Sequence, residues 1–245
     1  MKMNFENHIT LEEFFKTVFE RYDNAASSFV TIGGPYERLK RNRQGSISDE
    51  IEELVAEFLY VNSGAENNES LYVVVDLSLS IKVEGKRTKT VYPDIVFFRK
   101  DDNGINHILY MADVKTDPGW FRNGLKELAS KHQGHISLMH ESTELSHTDR
   151  MISEEGKQIS IKEEFVIEKD CPYDFIVISS ANGSKSFNRS EDELNKDEQS
   201  RIRAFILSRG VHPNMEGITL DRCNPDEEMK NKLIERVRSC ISSLF

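Results

Sequence analysis

The sequence predicts one α/β domain built on a mixed central β-sheet flanked by helices. Three observations lead there. Amphipathic helical stretches open the chain, a block of β-branched segments joined by short turns follows, and helices alternate with strands from there to the end. No internal repeat and no linker-like stretch divides residues 1–245, so the whole chain is expected to form one domain.

The first helix begins at Thr10-Leu11-Glu12-Glu13, a capping box in which a hydroxyl and a carboxylate three residues apart satisfy free backbone donors. Leu11, Phe14, Phe15, Val18, Phe19 and Tyr22 follow on one face. Gly33-Gly34-Pro35 breaks the chain, and a basic segment comes next with Arg38, Lys40, Arg41 and Arg43. A second helix is expected from Ser46 or Ser48 to about Tyr60, with Ile47, Ile51, Leu54, Val55, Phe58 and Leu59 as its apolar face. Asn62 to Asn68 reads as a polar loop.

The period then changes. Leu71–Val83 is read as a strand, Glu84–Arg87 as a turn, and Thr88–Phe98 as a second strand. Asp101-Asp102-Asn103-Gly104 carries the Asn-Gly hairpin signal, and Ile105–Lys115 completes an antiparallel meander. A helix is expected over Trp120–Met139, started by Asp117-Pro118-Gly119, and an irregular loop over Glu141–Lys162. Tyr173–Ser180, apolar on both faces at Phe175–Ile178, suits a strand inside the sheet. Gly183–Asn195 is expected to be a loop, Asp197–Ser208 and Pro225–Leu244 helices, and Gly217–Leu220 a short strand.

Composition bounds the function. Of 245 residues 38% are hydrophobic and 30% charged, a globular balance. No apolar run approaches the roughly 20 residues that cross a bilayer. The start, Met1-Lys2-Met3-Asn4-Phe5-Glu6, lacks the apolar core of a secretory signal. Cys171, Cys223 and Cys240 form no CxxC pair, which suits a reduced, cytoplasmic setting. Lys+Arg 32 against Asp+Glu 42 gives a net charge of −10, which weighs against a nucleic-acid partner, although only the local field over a groove decides.

The chemistry is carried by Tyr92-Pro93-Asp94-Ile95 and Ala112-Asp113-Val114-Lys115. An aspartate in a strand of Val, Ile and Phe needs a partner, because burying a bare carboxylate is costly. Here each arm of the hairpin carries one. A turn centred on Asn103-Gly104 sets Asp94 opposite Asp113, with Cβ atoms roughly 4.5–5.5 Å apart, and such a pair calls for a cation or a proton between them. Lys115, two residues from Asp113, stands on the same face. Two carboxylates beside an ammonium suit Mg²⁺ or Mn²⁺ and the hydrolysis of a phosphodiester.

These half-motifs resemble those of the PD-(D/E)XK nuclease superfamily, whose order is a helix with an acid, a strand, a strand with Asp, and a strand with (Asp/Glu)-x-Lys. Ser46 to Lys115 shows that order. The resemblance implies a restriction-endonuclease-like fold and Mg²⁺-dependent cleavage of DNA, with Mn²⁺ able to substitute. Asp94, Asp113 and the Val114 carbonyl would hold the metal, and Lys115 would position and activate water. Ile51–Leu59 is similar to the acid-bearing helix of Mrr-type members, which makes Glu52 the helix acid, bound to metal directly or through water. The helical wheel alone rejects Glu53 and leaves Glu52 and Glu50 open. Members often place a Gln or Lys on the following helix near the site; Lys126, Lys131 and Gln133 are candidates here, and Gln133 is the one to test.

Lys40, Arg41 and Arg43 before the acid-bearing helix, and Lys86 and Arg87 in the turn before the Asp94 strand, are candidate phosphate contacts. His132, His135, His140 and His147 have no nearby cysteine to complete a zinc set and are expected on the polar surface. Gly33-Gly34 lacks the Lys-Ser/Thr of a P-loop, and no Gly-x-Ser-x-Gly elbow occurs. The expectation is a stand-alone endonuclease of restriction type, a homodimer because duplex cleavage needs two sites. The rivals are an inactive version of the fold serving as a nucleic-acid-binding or assembly module, and a phosphohydrolase acting on RNA or a small nucleotide.

Overall fold

A computed structural model describes residues 8–27, 47–118, 124–152, 158–181, 183, 185–197, 200–213 and 218–242. Helix α1 spans Leu11–Ser27 and α2 spans Ser48–Ser63. The capping box forms: the Thr10 amide and hydroxyl donate to Glu13 Oε2 at 2.9 and 2.7 Å, and the Glu13 amide donates to Thr10 Oγ1 at 3.1 Å. Helix α2 runs past the expected end at Tyr60, because Gly64, at φ 77°, provides a left-handed C-cap whose amide bonds the Tyr60 and Val61 carbonyls.

The strands are β1 (Leu71–Val75), β2 (Leu79–Lys82), β3 (Lys89–Val91), β4 (Ile95–Lys100), β5 (Asn106–Lys115), β6 (Glu144–Ile152), β7 (Gln158–Ile167), β8 (Tyr173–Val177) and β9 (Ala204–Ile206). The remaining helices are α3 (Leu125–His140), α4 (Lys185–Asn195), the short α5 (Leu220–Cys223) and α6 (Glu227–Ser242). Among the described residues these nine strands form one mixed sheet. Strands β1, β4 and β5 are antiparallel neighbours, and β8 and β9 then extend the sheet parallel to β5. The start of β5 instead pairs with β7, from which β6, β2 and β3 continue in antiparallel steps.

Helices α1, α2 and α6 cover one face of this sheet over Tyr110, Ala112, Val114 and Ile176. Helices α3 and α4 cover the other over Met111, Phe175 and Val177. Strand β8 is buried on both sides, as its unbroken apolar run requires. Among the described residues no helix is long and apolar enough to cross a membrane.

Several local expectations are corrected. Leu71–Val83 is two strands, not one, broken where Asp76 adopts φ 56°. Thr88–Phe98 likewise divides at Tyr92-Pro93-Asp94, so the meander hands over from the β1–β4 pair to the β2–β3 pair. Glu141–Lys162 is not a loop but holds β6 and much of β7, whose exposed, mixed side chains hide strands that are held by cross-strand pairing.

Gly183–Asn195 contains α4, whose polar sequence includes Glu191, buried because Arg209 pairs with it at 2.7 Å. Asp197–Ser208 is not helical; Ala204–Ile206 joins β8 in parallel, a choice made by pairing that its apolar run does not encode. Leu220 opens a helix rather than ending a strand, and Gly217 lies outside the described residues. Helix α3 begins at Leu125, because Gly124 at φ 86°, ψ 152° is not helical; residues 119–123 lie outside the described residues.

Candidate functional site

The site grows from the β4–β5 hairpin. Asp101 Oδ1 accepts the amides of Asn103 and Ile105 at 2.9 and 2.8 Å, and Gly104 takes φ 82°, which closes the turn. Beside the turn Lys100 faces Asn106 and Phe98 faces Ile108. That register would bring Asp94 level with Ala112. The ladder shifts between Phe97 and Phe98, however, and from Phe97↔Tyr110 to Ile95↔Ala112 it runs one residue later. Continued by one step, it sets Asp94 level with Asp113.

Asp94 lies just outside β4 and acts as a side-chain extension of the ladder. Its Oδ2 accepts the Val114 amide at 2.7 Å and the Lys115 ammonium at 3.1 Å. Lys115 Nζ also donates to the Val114 carbonyl, the expected carbonyl ligand, at 2.9 Å. The same Nζ stands 3.8 Å from Asp113 Oδ2, so one ammonium lies between the two aspartates.

Asp113 is engaged on both oxygens. Tyr173 donates its hydroxyl to Oδ1 at 2.8 Å, and His132 Nε2 lies 3.1 Å from Oδ2. The His132 ring is clamped by stacking on Tyr173 and Phe175, with centroids 3.8 and 4.3 Å apart, and its Nδ1 faces the Tyr173 carbonyl at 3.2 Å. Far from being a surface residue, His132 is 3% exposed, and His135 is buried beside it. Burial, reinforced by the charges of Lys89, His132 and Lys131, pushes His135 down to about 4.

Glu52 completes the group from α2. It is 9% exposed, and its carboxylate, with those of Asp76 and Asp94, supplies oxygens that all lie within 4.8 Å of one another. Glu50, the other wheel candidate, pairs with Arg21 at 3.3 Å, and Glu53 is exposed. A cleft of about 150 Å³ opens here between Ser48, Glu52, Lys115 and Thr116.

The electrostatics follow from burial and charge. Burial, then the charges of Asp94 and Asp76, push the Glu52 carboxyl up to about 7. Burial and Asp113 push Asp94 up to about 6 against the pull of Lys115. Burial also works against ionised Asp113, but His132, Lys115 and Tyr173 outweigh it and hold that carboxyl below its ordinary value. For Lys115 burial alone would favour the neutral amine; Asp113, Asp94 and Glu52 reverse this and raise it. The result is a fixed ammonium next to oxygens that lack enough positive charge, which suits a hard divalent cation.

Other expected contacts lie elsewhere. Gln133 is exposed on the outer side of α3, and the residue of that helix that reaches the site is His132. Lys86 is exposed and pairs with Glu141 at 3.1 Å, and Arg87 is exposed in the same turn. Lys40, Arg41 and Arg43 lie outside the described residues.

Compared with protein families, curated proteins and solved structures, the chain matches none.

Three residues of the site escape sequence reasoning. Asp76 follows Val73-Val74-Val75, so it is an acid in a β-branched run, the same signal that singles out Asp94. His132 falls on the stripe Ala129, His132, Ile136, Met139 and is therefore on the inward face of α3. Tyr173 opens a strand buried on both sides, where its hydroxyl needs a partner.

Proposed function

We propose that this chain is a metal-dependent endonuclease of the PD-(D/E)XK type that hydrolyses phosphodiester bonds in DNA. The observation that carries the reading is the Lys115 ammonium, 3.1 Å from Asp94 and 3.8 Å from Asp113, beside the Glu52–Asp76–Asp94 group of carboxylates. The chain order supports it as well. An acid-bearing helix α2, strand β1, strand β4 with Asp94 before it, and strand β5 with Asp113-Val114-Lys115 come in that order, with β2 and β3 inserted between β1 and β4. Strands β1, β4 and β5 are neighbours in a mixed sheet flanked by helices.

The donor set fits Mg²⁺ or Mn²⁺, since hard oxygen ligands with room for water are what these ions prefer. Glu52 and Asp94 would hold the ion, which would supply Lewis-acid stabilisation of charge on the phosphoryl oxygens. Lys115 remains an ammonium at neutral pH because three carboxylates surround it. It therefore acts as a donor, orienting the attacking water and stabilising the phosphorane charge, rather than as a base. Asp94 fixes the ammonium and the Val114 amide together; Asp113, kept ionised, holds the far side of Lys115. Two such sites, one per chain of a homodimer, would cut both strands.

Plasmid digestion with Mg²⁺ or Mn²⁺ tests this. The wild type should nick or linearise the plasmid, and Lys115→Ala should lose about 100-fold or more of that rate while keeping its fold. Equal cutting by both proteins, or none by the wild type with either metal, overturns the reading. Single-stranded DNA, RNA and small phosphodiesters run alongside define the substrate class.

A further inference from the structure

We infer that Asp76, rather than Asp113, is the third carboxylate of the cation site, an assignment that rests on the metal-dependent reading above. The expected ligand pair of Asp94 and Asp113 comes from the hairpin register. The structure instead groups Asp94 with Glu52 and Asp76. Asp113 stands outside that group, and its oxygens already accept from Tyr173 at 2.8 Å and face His132 at 3.1 Å and Lys115 at 3.8 Å. A cation at Asp113 would compete with a buried hydrogen-bond network, whereas no described residue donates a hydrogen bond to the Asp76 side chain.

Two further observations point the same way. Glu52 is 9% exposed and aimed at Asp76 and Asp94, yet no described residue donates it a hydrogen bond, and the cation that acts on it, Lys115, is already bonded to Asp94. Three acids that share a single lysine leave buried negative charge uncompensated, which is costly, and a divalent ion among Glu52, Asp76 and Asp94 removes that cost. Asp76 is also tied to its neighbour by the backbone, because its amide donates to the Asp94 carbonyl at 3.0 Å. The two side chains therefore leave from hydrogen-bonded points on adjacent segments, while the exposed Asp76 keeps the site open to solvent.

Mn²⁺ binding to the full chain, followed by calorimetry, tests the assignment without using activity. Asp76→Asn keeps a residue that tolerates the left-handed backbone, and Asp76→Gly keeps the backbone while deleting the side chain. Both should weaken Mn²⁺ binding by about ten-fold or more, whereas Asp113→Asn should bind within about three-fold of the wild type.

Mn²⁺ binding unchanged in both Asp76 variants, or abolished in a folded Asp113→Asn, overturns the inference and leaves the nuclease reading standing. A wild type that binds no Mn²⁺ overturns the nuclease reading, and the inference with it. A measurement on the wild type covers variants that unfold: Fe²⁺ with ascorbate cleaves backbone beside the bound ion. Cuts near residues 76 and 94 support the assignment, and cuts confined to residue 113 overturn it.

Discussion

Two groups of buried carboxylates in this protein are treated in opposite ways. Asp174 in β8, fully buried, accepts the Arg203 amide at 2.8 Å and the Arg236 guanidinium at 3.2 Å. Glu191 in α4 is gripped by two nitrogens of Arg209 at 2.7 and 3.3 Å. At the carboxyl end of β5, by contrast, Glu52 and Asp94 share one lysine and face another acid. Burial pushes fully buried Asp174 up to about 6 although Arg236 opposes it; burial pushes Glu52 up to about 7, and there the negative charges of Asp94 and Asp76 add to it. Arginine compensation marks carboxylates that hold the fold together, and its lack marks carboxylates kept ready for a cation. Asp113 belongs with the first group by its partners and with the second only by position.

The comparison breaks most readily at Arg236. Arg236→Met should cost about 3–5 kcal/mol at pH 7.5, because it strands the Asp174 charge. Denaturant unfolding should show the loss shrinking toward pH 5, where Asp174 takes up a proton; a loss below about 1 kcal/mol would place Asp174 among the uncompensated acids.

Glu52 should respond with the opposite sign. Its folded carboxyl titrates at about 7 against an ordinary value of 4.5. The unfolded chain therefore gives up this proton first, and metal-free stability falls as pH rises between those values. Glu52→Gln should be more stable than wild type by about 1–2 kcal/mol at pH 8 and equal to it near pH 4. Added Mn²⁺ should raise the melting temperature of the wild type alone. A destabilised Glu52→Gln at pH 8 would mean that the glutamate is compensated after all.

Tyr173→Phe sharpens the assignment of Asp113 and should cost about 1 kcal/mol at neutral pH. Because Asp113 is held below its ordinary value, the stability it contributes is present above that value and lost as pH falls through the folded one. The difference between variant and wild type should accordingly narrow toward pH 3. Smallest is Lys86→Ala, whose exposed pair with Glu141 contributes about 0.5 kcal/mol or less. If the β2–β3 turn touches DNA phosphates, the same change should lower the salt dependence of DNA binding by about one counterion.

Much of the hairpin was legible in the sequence, but for reasons that differ residue by residue. Asp113 and Lys115 share a face because a strand alternates sides every residue, which spacing alone encodes. The approach of Asp94 to Asp113 was also anticipated, although the ladder reaches it through a register shift that no local signal announces. On α2 the wheel could not choose between Glu50 and Glu52, since both border the apolar face; packing chose, sending Glu50 to Arg21 and Glu52 inward. On α3 the resemblance points to Gln133 and the sequence reading puts His132 on the polar surface, whereas packing buries His132 on the apolar side of the helix and leaves Gln133 outside.

The features that adjacent residues specify are therefore local. They are the capping box of α1, the amphipathic stripe of α2, the Asn-Gly turn before β5 and the alternation that sets a lysine beside an aspartate. Each of these depends on a handful of adjacent residues and their own hydrogen-bonding groups. Long-range packing set the break after β1 at Asp76, made strands of β6, β7 and β9, and brought Asp76 and Glu52 together at Asp94. Those outcomes are set by pairing and burial between segments far apart in the chain, where the energy of a contact belongs to neither segment alone.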